Sequence, residues 1–282
     1  VSRATGPVPT PQALRIGGVP EHFNLPWHLA IDSGATAAGP VAWRDYPSGT
    51  GAMLADLVAG KLDLAILLTE GAALGLARGL PIVAASLYTQ SPLIWGVHTS
   101  PDPTFDAISS LREARFAISR PGSGSHLMSL ALALSRGWPV AALRFVVVND
   151  MQGAITAFRE GRADVFLWER FTTEPQVEAG LFRRLDDFVA PWPAWTLCAR
   201  RDVWDGRREP ILQLFAEVTS AARRLSRSPS RVSLIAGKYG LGEAAVAAWL
   251  ARTEWVDGPT PPDAALRAAE RMLEAAGALA PG

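Results

Sequence analysis

The chain has 282 residues, of which 49% are hydrophobic, and its 27 basic and 27 acidic side chains leave a formal net charge of +0. That length sits where a single hydrophobic core stops growing and a chain tends to split into two lobes. Zero net charge argues against a binder of nucleic acid or of anionic membrane, which needs surplus Lys and Arg near phosphates, and the lone Cys198 excludes an internal disulfide and a cysteine-based zinc site.

No stretch reaches the ~18 consecutive apolar residues that a spanning helix needs, so no membrane insertion is expected. Val1 to Ala13 is polar and Pro-rich and lacks the apolar centre of an export signal. The first residue is Val. A signal removed upstream would imply a periplasmic protein and its absence a cytoplasmic one, so the compartment stays open.

The first third of the chain alternates short apolar runs with helical patterns. Strands are expected at Leu14 to Gly18, Val41 to Tyr46, Asp63 to Leu68, Ile82 to Leu87 and Leu93 to Val97. Helices are expected at Pro26 to Ser33, Gly51 to Ala59 and Glu70 to Arg78. Ser100-Pro101-Asp102-Pro103 then makes a turn-rich break. The pattern restarts with strands Arg115 to Ser119, Arg144 to Val148 and Asp164 to Trp168 and helices Ser125 to Arg136 and Gln152 to Glu160. Phe182 to Leu185 is a short fourth strand. Pro191-Trp192-Pro193 reads as a second break, Ala194 to Ala199 as an apolar run, and the sequence from Asp202 onward as helical, ending in an amphipathic helix at Pro262 to Ala276. Strands alternating with helices in this way imply mainly parallel sheet with right-handed crossovers.

The two halves echo each other. Gly60-Lys61-Leu62-Asp63 opens one apolar strand and Gly161-Arg162-Ala163-Asp164 opens another. The expected fold is therefore α/β and two-lobed, with flanking helices and a helical tail. Lobe one would comprise residues 1–98 and 196–282, and lobe two residues 99–195. Crossings near 98–101 and 191–195 would form a hinge, and a hinge implies a cleft.

In parallel α/β sheets, ligands bind beyond the carboxyl ends of the strands, where helix N-termini point. Six such ends carry polar or Gly-rich residues: Glu21-His22-Phe23-Asn24, Ser48-Gly49-Thr50-Gly51, Thr69-Glu70, Ser119 to His126, Asn149-Asp150, and Trp168-Glu169. In Ser119-Arg120-Pro121-Gly122-Ser123-Gly124-Ser125-His126, small residues let backbone N–H groups approach a ligand, and the following helix favours an anion. Ser119, Gly122, Ser123, Gly124, Ser125 and His126 are the candidates there. Asn24 is expected to cap the next helix, with Pro26 in its first turn. A dinucleotide fingerprint fails because its third glycine would fall at Leu127. The sequence contains no G-K-[ST], H-E-x-x-H or G-x-S-x-G, and the four histidines (22, 28, 98, 126) form no helical ligand pair. No cofactor, no metal and no catalytic residue is assigned.

The order of elements, the Gly-[Lys/Arg]-x-Asp strand openings and the Gly122-Ser123-Gly124 helix start resemble the type II periplasmic binding proteins. The resemblance is to the group for alkanesulfonates, taurine, nitrate and thiamine-pyrimidine precursors, and it covers residues 14 to 240. Gly18-Val19-Pro20-Glu21-His22-Phe23-Asn24 and the Ser119 to His126 segment are similar to a subgroup found in bacteria and fungi. The resemblance implies that Ser123 to Ser125 hold the ligand's anionic head, while Glu21 to Asn24 and Ser48 to Thr50 close on the other side. Thiamine-precursor synthases carry a cysteine-rich motif that the lone Cys198 cannot supply. Glu21, Glu70, Asp150 and Glu169 would repel a purely anionic ligand, so a taurine-like zwitterion or an aminopyrimidine fits better. The expected function is a monomeric substrate-binding protein that delivers a small polar molecule to an ABC-type permease. A small-acid lyase or decarboxylase on the same fold and a cytosolic ligand sensor are the alternatives.

Overall fold

The computed structural model describes residues 13–280 apart from 35, 37, 102 and 103. The outer limits expected for lobe one, at residues 1 and 282, and part of the Ser100 to Pro103 break lie outside the described residues. The first half contains β1 (Leu14–Gly18), α1 (Leu25–Asp32), β2 (Val41–Asp45), α2 (Thr50–Val58), β3 (Leu64–Leu68), α3 (Thr69–Ala77), β4 (Ile82–Leu87) and β5 (Pro92–Thr99). Then follow β6 (Arg115–Ile118), α4 (Gly124–Ser135), β7 (Arg144–Val147), α5 (Met151–Arg159), β8 (Val165–Glu169), α6 (Glu174–Glu178), β9 (Arg183–Pro193) and β10 (Trp195–Arg200). The tail is α7 (Arg201–Arg227), α8 (Arg231–Tyr239), α9 (Glu243–Leu250) and α10 (Asp263–Ala275).

These strands form two five-stranded sheets, ordered β2-β1-β3-β10-β4 and β7-β6-β8-β5-β9. In each sheet three adjacent strands run parallel, β2-β1-β3 and β7-β6-β8, and one antiparallel strand is inserted: β10 in the first and β5 in the second. The central β3, Leu-Ala-Ile-Leu-Leu, is buried at every position, as a strand covered on both faces must be.

The sequence echo has a structural counterpart. Asp63, just before β3, accepts from the Arg15 backbone N–H at 2.9 Å and from its guanidinium at 3.0 and 2.6 Å. Asp164, just before β8, accepts from the Arg115 backbone N–H at 2.7 Å and from its guanidinium at 2.9 and 2.7 Å. Each Asp ties the start of its strand to the start of the neighbouring central strand, and so fixes the register of the sheet.

Two expectations are corrected. Leu93 to Val97, expected in lobe one, lies in β5 and pairs with β8 and β9 of the second sheet, so the first crossing occupies residues 88–91. An apolar run does not reveal which neighbour it will pair with. The stretch Pro191-Trp192-Pro193 is the end of an eleven-residue strand rather than a break. β9 is an edge strand, where a proline costs no ladder hydrogen bond. Asn24 also departs from expectation. It stands at the cap position of α1, but its amide donates to the Val19 carbonyl at 2.8 Å and makes no cap bond.

The tail packs on the first sheet's layer. α7 lies against α1, with Phe215 against Trp27 (ring centroids 6.2 Å apart). It kinks at Arg207, just ahead of Pro210, whose missing N–H interrupts the helical ladder. α10 covers α3, and the apolar core runs from one lobe into the other.

Candidate ligand-binding cleft

Strand ends of both sheets meet around a cavity of about 50 Å3. From the first sheet come Val19 and Glu21 after β1, Ser48-Gly49-Thr50 at the start of α2, Leu68 at the end of β3, and Trp195 on β10. From the second come Leu93 and Trp95 on β5, the turn from Ser119 to Ser125 ahead of α4, and Trp168-Glu169 at the end of β8. Gly49 and Ser123 stand at the helix cap positions of α2 and α4, so two helix N-termini open on the cavity.

The two carboxyls in the cavity are both perturbed. Burial, reinforced by the charge of Glu169, pushes Glu21 up to about 8. Burial likewise lifts Glu169 to about 7, although its Oε2 accepts from the Thr172 backbone N–H at 2.6 Å and the Thr172 hydroxyl at 2.8 Å. The serine turn is a closed web. Ser119 N–H donates to Ser125 Oγ at 2.9 Å, the Ser123 and Ser125 hydroxyls are bonded at 3.0 Å, and the His126 backbone N–H donates to Ser123 Oγ at 3.4 Å. Thr50 Oγ1 accepts from the Leu68 backbone N–H at 3.0 Å, tying the start of α2 to the end of β3.

Several sequence candidates lie outside the cavity lining. His22 is buried behind it, edge-on to Trp249 with ring centroids 4.2 Å apart, and burial pushes it down to about 3. Phe23 supports the wall from behind, against Trp195, and its carbonyl accepts from Tyr88 Oη at 2.6 Å and Trp255 Nε1 at 3.1 Å. Thr69 bonds Thr196 hydroxyl to hydroxyl at 2.9 Å. Gly122 takes φ +77°, and its N–H donates to His126 Nδ1 at 3.1 Å, so His126 holds the turn. Asp150 is exposed and caps α5, accepting from the Gly153 N–H at 2.8 Å. Glu70 is buried beside the passage from β9 to β10, where Oε2 accepts from Trp192 Nε1 at 2.9 Å and burial raises it to about 7.

The structure adds cleft residues that sequence reasoning did not select. Arg120 reaches from the second lobe to the Ser48 carbonyl of the first, and a Cβ added to Gly51 would come within 2.8 Å of Arg120 Nε. Trp95 and Trp195 are both buried, and neither indole N–H has a hydrogen-bond partner. Arg120 sat inside the serine-rich segment, so its position was the available signal. Trp95 lies in an apolar strand and Trp195 in an apolar run where packing at the hinge was the expected role, so neither was marked as a ligand contact. Among the described residues no cluster of three or more His, Cys, Asp or Glu is placed to hold a metal ion, and no helix is long and apolar enough to cross a membrane.

The profile of the Ca3427-like PBP family matches residues 95–188. A search of curated proteins returns no match in sequence. Among solved structures, the Candida albicans CA3427 gene product, described as defining a family with the generic periplasmic binding protein structural fold, is 23% identical. The superposition covers 96% of this chain and 92% of that one, with a TM-score of 0.89. The alkanesulfonate-binding protein SsuA from Xanthomonas axonopodis pv. citri, bound to MOPS, is 17% identical over 97% of this chain and 96% of that one, with a TM-score of 0.80. The ligand-binding component of an ABC-type import system from Staphylococcus aureus is 15% identical over 96% and 94%, with a TM-score of 0.71. Likeness at these identities establishes architecture: two sheets flanked by helices, with a helical tail, are the two-lobed periplasmic binding protein fold.

Proposed function

We propose that this protein is a substrate-binding protein that captures a small polar organic molecule between its lobes and delivers it to an ABC-type permease. The observation that carries this reading is the cavity itself. It is built from strand ends and helix starts of both sheets and holds Glu21, Ser123, Ser125, Trp168 and Glu169 together. Lobe one, on this reading, is residues 13–87 with 195–280, and lobe two is residues 92–193, divided where the chain changes sheet. Glu21, Ser48, Gly49, Thr50, Ser119, Ser123, Gly124, Ser125, Trp168 and Glu169 are the proposed contacts, to which Trp95, Trp195 and Arg120 are added.

Closure of the lobes supplies affinity and a signal that the permease reads, with no covalent chemistry. The ligand class is taurine-like and sulfonate-bearing, or aminopyrimidine-like. Two similar structures support parts of this reading: one is an alkanesulfonate-binding protein, which supports the sulfonate, and another is the ligand-binding component of an ABC-type import system, which supports delivery to a permease.

A thermal-shift screen of the full chain against sulfonates, taurine, aminopyrimidines and small carboxylates tests the reading. The expected outcome is a hit that stays chemically intact and is abolished by combining Ser123→Ala with Glu21→Ala. A hit consumed over hours would overturn the reading in favour of an enzyme, with Glu21 or Glu169 as its general base.

A further inference from the structure

We infer that the cleft selects an organic ligand carrying one cationic group, such as a protonated amine, an amidinium or an amino-heterocycle, seated between Glu21 and Glu169 against tryptophan faces, and that it rejects alkanesulfonates and phosphonates that lack such a group. This rests on the cleft reading above and narrows its ligand class.

The donors that would greet an anion are already engaged. That holds for the serine web and for one arm of Arg120: Ser123, Ser125, Ser119 N–H and His126 N–H bond to one another, and Arg120, the one basic side chain among the cavity's described residues, reaches the Ser48 carbonyl across the cleft, while the indole N–H groups of Trp95 and Trp195 remain for an acceptor on the ligand. What faces the space is two carboxyl groups and the rings of Trp95, Trp168 and Trp195. Two carboxylates brought together out of water repel each other and lose hydration, a cost that a cation between them removes and that an anion increases. Indole faces add attraction for a cation, stronger where water is excluded. The unpartnered N–H groups of Trp95 and Trp195, each at least nine-tenths buried, call for an acceptor atom on the same ligand. A cavity of about 50 Å3 is several times the space that one water needs, which suits a ligand of a few heavy atoms or a single ring.

A cation must meet ionised carboxylates, yet Glu21 and Glu169 are pushed up to about 8 and about 7. The charged and titratable groups around them include Arg120 in the cleft, Arg170 beside Glu169, Tyr239 behind Glu21, and His22 next to Glu21, which burial keeps neutral. Arg170 is held by Asp187 at 2.8 Å. The empty pair therefore retains protons near neutrality, and cation binding expels them. Raising the pH from 6 to 8 then strengthens binding, by about tenfold for one proton displaced over part of that range.

The test is isothermal titration calorimetry on the full chain, with acetamidine and 4-aminopyridine as cationic probes and ethanesulfonate and methylphosphonate as anionic ones. Each titration is run at pH 6 and pH 8 in buffers of different ionisation enthalpy. The expected result is binding of a cationic probe with proton release at pH 6, no binding of the anions, and at least about tenfold weaker binding in Glu21→Gln and in Glu169→Gln. Trp168→Ala, which alters the half-buried wall and neither acid, should weaken the same probe. Binding of the sulfonate or phosphonate without the cations overturns the cationic group while leaving the solute-binding reading intact. Binding of neither class overturns the cationic group, and the screen above then decides the broader reading separately.

Discussion

Glu70 and Glu169 follow matching strands, yet only Glu169 reaches the cavity. Asp63 and Asp164 occupy equivalent positions ahead of those strands, and counting from them aligns Glu169 with Leu68, which also lines the cavity. Glu70 lies two residues further on, inside α3, and faces Trp192 near the end of β9. The acids at these strand ends were legible in the sequence. Which way each faced was not, because Glu169 is still in its strand whereas Glu70 falls in the first turn of α3, where the helical period sets the direction of the side chain. Glu70 has a consequence for stability. Its folded value of about 7 lies above its ordinary 4.5, so between those values the folded protein keeps a proton that the unfolded chain releases. Stability from this group is present below pH 4.5 and is lost as pH rises to 7. Glu70→Gln should therefore raise stability at pH 8, on the order of 3 kcal/mol at most, and leave it unchanged near pH 4.5. Urea unfolding at the two pH values checks this, and equal effects at both would show that Glu70 does not titrate as described.

At the scale of elements, the Gly-[Lys/Arg]-x-Asp openings exposed the repeat, but not what the aspartates do. Each accepts a backbone N–H and two side-chain donors, Nε and one terminal nitrogen, of an arginine on the neighbouring strand, a pairing of residues almost fifty positions apart that no local pattern reveals. Asp63→Asn and Asp164→Asn should each destabilise the fold by about 1–3 kcal/mol, discounted for their partly exposed arginines. The loss should be larger at Asp63, which is better buried and also lies 3.5 Å from Arg200. Both aspartates sit below their ordinary value, through hydrogen bonds and charge from Arg15 and Arg115 that outweigh burial. Their contribution is thus present above the unfolded value near 4 and is lost as pH falls through the folded one. Chemical denaturation of the two variants at pH 7 compares them, and an equal or reversed order would contradict the register role. The edge strand β9 was hidden for a different reason: its prolines, which signal a break in isolation, are tolerated where only one side of a strand is paired.

Across the whole molecule, the two-lobed division was legible from length and repetition, whereas the way the lobes meet was not. Closure depends on contacts between distant segments, above all Arg120 with the Ser48 carbonyl and the packing at Gly124, where an added Cβ would lie 2.6 Å from Leu68 and 2.8 Å from Trp95. Arg120→Ala should shift the lobes toward an open state, seen as a larger radius of gyration in small-angle scattering, and weaken ligand binding by about tenfold through the lost competent population. Gly124→Ala should block closure sterically, so it should open the molecule in the same measurement. An unchanged radius of gyration in both variants would show that neither contact holds the lobes together.

The central claim is that the interlobe cavity is where the ligand sits. A crystal structure of the chain with the strongest cationic hit tests it most directly. The predicted result is ligand density between Glu21 and Glu169, against Trp168, with the ligand nitrogen at the carboxylates. Density instead in the groove of about 630 Å3 lined by Arg223, Arg227 and Arg231, with an empty cleft, would contradict it.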